Sequence, residues 1–177
     1  MTETTAWRIR RAAPADAMAL AEMHTRAWQV AYRGIVPDGF LDAMDVAARA
    51  ARYTLGATGP ADPRTWIAVE GDRVLGGVTV SSSRDEDVPG LGEVRSLYVH
   101  PDAWGTGVGR ALMAQGERLL AREGFTEAFL WVLEANRRAR RFYEIAGWRP
   151  DGARKAFEIA AREIPEVRYR KALATPA

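Results

Sequence analysis

The chain has 177 residues, 47% hydrophobic and 27% charged, with 25 basic against 23 acidic side chains and a net charge of +2. That length suits one domain burying roughly two-thirds of its unfolded surface, expected over 1–177 with a core of about 7–173. There is no cysteine, which rules out disulfides, thiolate metal sites and a cysteine nucleophile, and no metal is expected. The longest apolar run is the six residues Ala128 to Leu133, far short of a membrane span, and the N-terminus carries no apolar leader. A cytoplasmic location without a membrane partner is therefore expected.

Trp7 to Arg11 alternate like an edge strand. Pro14-Ala15-Asp16 opens a helix whose face carries Leu20, His24, Ala27 and Ala31, and Gly34 stops it. Pro37 and Asp38 begin a second helix with Phe40, Leu41 and Met44, running toward Tyr53. Gly56 to Pro63 is a Gly/Pro-rich loop. Thr65 to Val69 reads as a strand, Gly71-Asp72 as a tight turn, and Val74 to Val80 as the hairpin partner. Ser82 to Gly92 is a polar loop whose acidic run, Asp85-Glu86-Asp87, either solvates the surface or attracts a cation.

From Glu93 the pattern is again a strand, with Leu97 and Val99 expected on one face and Val94 and Tyr98 on the other. His100-Pro101-Asp102 ends it, because proline cannot continue a ladder. Gly105, Gly107 and Gly109 follow at alternate positions, and from Val108 the apolar period becomes helical up to Gly124. A strand, a glycine loop and a helix suit an anionic ligand. The first helical N–H groups lack internal partners, the dipole adds partial positive charge, and glycines let an oxyanion reach the amides. A dinucleotide fingerprint would need glycine where Arg110 stands, and a P-loop would need a lysine that is absent here.

Ala128 to Leu133 is a nearly continuous apolar strand, as in a sheet covered on both faces. Asn136 then takes an N-cap position before Ala139, Phe142, Tyr143 and Ala146 at helical spacing, and Gly147-Trp148 closes that helix. Arg137, Arg138, Arg140 and Arg141 cluster on it. Such a cluster suits a nucleic-acid patch or a solvated face beside an anion, and without interleaved aromatics nucleic acid is the weaker expectation. Phe157 with Ile159 and Val167 with Tyr169 form a last hairpin.

Two signatures in this order, Gly107 and Asn136 lying 29 residues apart, carry a family resemblance. Trp104-Gly105-Thr106-Gly107-Val108-Gly109 resembles the Gln/Arg-x-x-Gly-x-Gly/Ala acyl-CoA pyrophosphate loop of the GNAT superfamily of N-acetyltransferases, with Trp104 departing from the usual Gln/Arg. The strand, Asn136, Phe142-Tyr143 and Gly147-Trp148 resemble its second signature. The resemblance spans Trp7 to Leu173 and implies an α/β fold with a mixed, mostly antiparallel central sheet flanked by helices. It implies acetyl-CoA as acyl donor, held by Trp104 to Arg110 (Trp104, Gly105, Thr106, Gly107, Val108, Gly109, Arg110), by Asn136 and by the backbone of Leu97, Tyr98 and Val99. It also implies transfer of the acetyl group to a primary amine of a small molecule or peptide in a ternary complex, with Trp28, Tyr32 and Arg33 as acceptor contacts. A homodimer is a further expectation. The alternative is a non-catalytic acyl-CoA-binding sensor acting on a partner.

Tyr143 matches the family tyrosine near the sulfur. With an ordinary phenol near 10 and a thiol near 8.5, full proton transfer to the thiolate is uphill by roughly 2 kcal/mol, so it serves chiefly as a hydrogen-bond donor. Glu93, fourteen residues before Gly107, resembles the general base of the histone-type members, with His24 and His100 as alternatives. A base matters most for a lysine-like amine, whose deprotonation at pH 7 costs about 4.6 kcal/mol, against about 1.4 for an α-amine near 8.

Overall fold

The computed structural model describes residues 7–59 and 61–174. Residues 1–6 and 175–177, at the ends of the expected domain, and Pro60, in the expected loop, lie outside the described residues. The strands are β1 (Arg8–Arg11), β2 (Arg64–Glu70), β3 (Arg73–Ser82), β4 (Gly92–Val99), β5 (Glu127–Leu133), β6 (Arg149–Ile159) and β7 (Arg162–Ala172). The helices are α1 (Ala17–Ala31), α2 (Asp38–Asp42), α3 (Val46–Ala50), α4 (Val108–Arg122) and α5 (Arg137–Ile145). All strands join one sheet in the order β1-β2-β3-β4-β5-β7-β6. Every pairing is antiparallel except β4 with β5. The chain is thus a mixed α/β protein with a mostly antiparallel sheet flanked by helices.

Period-two apolar residues give each inner strand two buried faces. On one face α4 covers Ala68, Val78, Val80 and Val94, with Ala128, Leu130 and Val132 of β5 and Val167 and Tyr169 of β7 completing that core. Helix α4 sits very close to β3: a Cβ on Gly76 would lie 2.9 Å from Leu112 Cδ1 and 2.9 Å from the Tyr98 carbonyl oxygen. Only a bare Cα permits this approach. On the opposite face α1 packs Leu20, Met23 and Ala27 on Ile67, Val69 and Val74. A third cluster joins Trp28, Val36 and Leu41 to Leu133 and to Ile159 and Ile164 of the β6–β7 hairpin.

Two expectations change. The single helix from Pro37 toward Tyr53 is two short ones, α2 and α3, and the Asp45 side chain restarts the second by accepting the Ala48 N–H at 3.0 Å. The faces of β4 also differ. Thr79 stands opposite Ser96 but Val80 opposite Val94, so Arg95 is an extra, unpaired residue. This bulge shifts the alternation by one. Val94 therefore joins Leu97 and Val99 on the α4 side, while Tyr98 alone faces α1.

Candidate active site

The parallel pairing of β4 with β5 lasts only two residues, Gly92 opposite Ala128 and Glu93 opposite Phe129. Beyond them the strands part. The backbone groups that face this opening follow from the antiparallel register on the other side of β4. His100 N–H donates to the Leu75 carbonyl at 2.7 Å, so Leu75–His100 and Gly77–Tyr98 are hydrogen-bonded pairs, and Gly76–Val99 and Val78–Leu97 are not. Leu97 and Val99 thus turn their N–H and C=O groups into the opening, where β5 supplies no partner. The backbone of Tyr98 departs from expectation, because it is spent on Gly77; its ring lies, as the alternation predicts, on the face opposite Leu97 and Val99, stacked on His24 at 4.2 Å.

At the mouth of the opening lies the glycine loop. Gly105 and Gly107 have φ of +80° and +91°, the left-handed region that glycine enters without penalty, and Gly107 is the N-cap of α4. The first intrahelical bond runs from Ala111 N–H to the Gly107 carbonyl, so the amides of Val108, Gly109 and Arg110 point out of the helix end unpaired. The Val108 side chain is fully buried in the core, so only its amide can serve a ligand. Gly105, Thr106, Gly107 and Arg110 are exposed, although the Thr106 hydroxyl is turned back to the Ala103 carbonyl at 2.7 Å.

Trp104, in the place of the usual polar residue, donates its indole N–H to the Val99 carbonyl at 2.9 Å. The guanidinium of Arg138, from the first turn of α5, lies 3.4 Å above the centre of its ring. Asn136 caps α5 by accepting the Ala139 N–H at 3.1 Å. The arginines of α5 do not form one patch. Arg138 stacks on Trp104, while Arg140 is bound to the Tyr169 hydroxyl and the Glu134 carbonyl.

Tyr143 is buried, and burial together with the neighbouring Tyr98 pushes its phenol well above the ordinary value. Burial does the same to Tyr32, reinforced by Tyr98 and Tyr143. Three tyrosines, from the C-terminal cap of α1, from β4 and from α5, therefore converge beside the opening, all holding their protons. Trp28 closes this wall, packed edge-on against Tyr32 at 4.9 Å, with its indole N–H buried and without a hydrogen-bond partner among the described residues. Arg33 is not brought to the wall: it turns outward to Asp38 and Asp42, the first and last residues of α2.

Glu93 is 3% exposed, and both its oxygens are taken by Arg84, through the backbone N–H at 3.2 Å, Nε at 3.0 Å and Nη2. His24 bonds the Tyr53 hydroxyl through Nδ1 at 2.9 Å, and burial, with the Arg49 charge second, holds it down to about 3. His100 sits at the end of β4 beside Arg73 and Asp102. The acidic loop is not an open trap for cations. Asp85 accepts the Trp131 indole N–H at 2.7 Å, and Asp87 is held by Arg168 at 2.8 Å.

One carboxylate was not singled out by sequence. Glu166 of β7 stands opposite Leu133 of β5, near enough to Tyr32 and Tyr98 to oppose their ionisation. Its strand alternates polar Glu166 and Arg168 with apolar Val167 and Tyr169, which reads as a solvent face. Only the covering α1–α2 segment makes that face interior. Among the described residues no group of three or more His, Asp or Glu side chains is arranged to hold a metal, and no helix is long and apolar enough to cross a membrane.

A parted parallel strand pair, a glycine-capped helix end and a buried tyrosine define the acyl-CoA-dependent acyltransferase class. The family model described as the acetyltransferase (GNAT) family matches residues 20–148, and the chain belongs to that family. It is similar to the uncharacterized N-acetyltransferase YuaI of Bacillus subtilis, 28% identical over 161 residues covering 90% of this chain and 89% of that one. A mycothiol acetyltransferase of Kocuria rhizophila is 37% identical over 108 residues, 55% of this chain and 36% of that protein. The structure of yncA, a putative acetyltransferase from Salmonella typhimurium with acetyl-CoA, superposes with a TM-score of 0.69 at 24% identity over 98% and 97% of the two chains.

Proposed function

We infer that the protein moves an acetyl group from acetyl-CoA to a primary amine of a small molecule or peptide, by direct attack in a ternary complex. Acetyl-CoA supplies an activated acyl group as a thioester. The observation that carries this reading is the opening between β4 and β5, with the backbone edge of Leu97 and the Val99 N–H free between the glycine loop and Tyr143, and the Val99 carbonyl held by the Trp104 indole. The loop amides suit the pyrophosphate. The Leu97 edge and the Val99 N–H suit the amide groups of the pantetheine arm, and a backbone N–H there can stabilise the oxyanion. Tyr143, holding its proton firmly, donates a hydrogen bond to the departing thiolate. With no cysteine in the chain, no thiol acyl-enzyme competes with direct attack.

Glu93 enters this reading as a base only if it leaves Arg84. The acceptor wall of aromatic rings favours an amine with an apolar body. The test is free-thiol release from acetyl-CoA across alkylamines, arylalkylamines, amino acids and short peptides. Release with at least one amine, matched by acetylated product, is expected. Tight CoA binding with no release from any amine would overturn the transferase reading in favour of a sensor.

A further inference from the structure

We propose that Glu166 is the carboxylate that receives the proton of the attacking amine. This rests on the acetyl-transfer reading above. Its place follows from register. Glu93 stands level with Phe129 across the parallel pair. Counting four residues up β5 reaches Leu133; counting five up β4, to allow for the bulged Arg95, reaches Tyr98. Leu133 and Tyr98 are thus at one height on the two sides of the opening, and Glu166 is the direct partner of Leu133 on the next strand. Packing agrees, since Leu133, Ile164, Tyr32 and Tyr98 belong to one apolar cluster. Glu166 is the carboxylate at the level of the opening on the acceptor face.

Its bonding also differs from that of Glu93. The Glu166 side chain is 15% exposed, and its ion-pair partner among the described residues is Lys155 of β6, with Nζ 3.8 Å away. That is beyond a hydrogen bond, and no described donor bonds either oxygen. Lys155 is itself drawn over the Trp131 ring at 4.3 Å. Glu166 therefore keeps lone pairs free for a donor that arrives with the acceptor, whereas Arg84 takes three of the roughly four acceptor sites of the Glu93 carboxylate.

The charged and titratable groups facing Glu166 are Lys155 from β6, Asp85 from the loop before β4, Tyr32 from α1 and Tyr98 from β4. Arg168, next on the same face of β7, is committed to Asp87 and Asp151. Burial, the largest cause, and Asp85 raise Glu166 from its ordinary value, while Lys155 opposes them. A carboxylate so placed is a better proton acceptor than an exposed one.

In the step, the ammonium gives one proton to a Glu166 oxygen and its freed lone pair forms the C–N bond to the thioester carbon. The C–S bond breaks with its electron pair on sulfur, which accepts a hydrogen bond from the Tyr143 hydroxyl. The second nitrogen proton, lost as the tetrahedral intermediate collapses, ends on that sulfur, and Tyr143 keeps its own. The sum is ammonium plus acetyl-CoA giving amide, CoA thiol and one proton, which Glu166 passes to water.

The experiment is the pH profile of kcat/KM, with the fastest amine of the thiol-release panel, for wild type, Glu166→Gln, Glu93→Gln and Lys155→Met. Glu166→Gln should lower kcat/KM at pH 7 about 10²-fold and abolish the acid limb, with CoA affinity by calorimetry unchanged. Lys155→Met should move the acid limb to higher pH, because it removes the cation that stabilises the ionised form. Glu93→Gln should keep the limb. A wild-type acid limb in Glu166→Gln, or a loss of rate with the limb in place, overturns the assignment. Should Glu166→Gln fail to bind CoA, Lys155→Met decides, and an unmoved limb there refutes the proposal. Absence of release by wild type with every amine removes the transferase reading instead, and this proposal with it.

Discussion

Replacing Gly107 by valine probes the glycine loop where its backbone is least forgiving. The residue sits at φ +91°, ψ −10°, where a side chain costs about 1–2 kcal/mol, and valine is among the least tolerant types. The cost is torsional, not a clash, because a Cβ built on Gly107 meets nothing within 4 Å. For a chain of this size that strain lowers Tm by about 2–8 °C, at 2–4 °C per kcal/mol. The open space beside the Cα is also where an oxyanion would approach the unpaired amides. A valine fills it, or lets the loop relax and turn those amides away. CoA affinity should therefore fall at least 10-fold, about 1.4 kcal/mol or more. Gly109→Ala is the control. Its Cβ would meet Val99 Cγ2 at 3.5 Å and Phe142 Cε2 at 3.6 Å, ordinary contacts without a left-handed φ, so CoA affinity should stay within about threefold of wild type. Calorimetric titration with CoA, paired with thermal unfolding, reads both effects. A folded Gly107→Val that binds CoA like wild type would refute the cradle.

Tyr143→Phe keeps the buried ring and removes the hydroxyl, so turnover should fall roughly 10²-fold with CoA affinity unchanged; full activity would make the residue structural. Glu93→Gln leaves Arg84, 55% exposed, free to turn to water, so urea unfolding should show a loss of only about 1–2 kcal/mol. A loss of 4 kcal/mol or more, on the order seen when a buried pair is broken, would mean that Arg84 is far less free than it looks. His24, held neutral down to about 3, binds its proton more readily unfolded, near 6.5. Its contribution is fully present above pH 6.5 and is lost as pH falls toward 3. Between pH 7 and 5 wild type should lose about 2 kcal/mol more than His24→Phe, and equal slopes would contradict a buried neutral imidazole.

The glycine loop, the Asn136 cap and the strands beside them were legible because each rests on local chemistry. An αL glycine, an amide-accepting side chain and a period of two act within a few residues. The face of Val94 was not, because one bulged residue, Arg95, reverses the alternation without a glycine or proline to announce it. Asp45, a good N-cap inside an apolar periodic run, divides α2 from α3 and was readable in principle. Arg33 looked available beside aromatic neighbours, but two aspartates five and nine residues ahead capture it once α2 turns back. Glu166 was hidden for a different reason. Its strand has the pattern of a half-exposed hairpin, and only long-range packing of Trp28, Val36 and Leu41 over the hairpin makes that face interior.

The family model ends at residue 148, just before β6 begins. The parts suited to the donor, from β3 through α5, form one uninterrupted stretch. The proposed acceptor wall is assembled from α1 and α2 at one end of the chain and the β6–β7 hairpin at the other, meeting through Trp28, Leu41, Ile159 and Ile164. The hairpin closes through Ala160 and Ala161, both left-handed at φ +50° and +58°. It is nevertheless anchored, because β7 lies between β5 and β6 and has two faces. Glu166 and Ile164 point to the side covered by Trp28 and Leu41, while Val167 and Tyr169 complete the core beneath α4. One strand therefore serves as a wall shared by both halves, and a substitution on one of its faces is felt on the other.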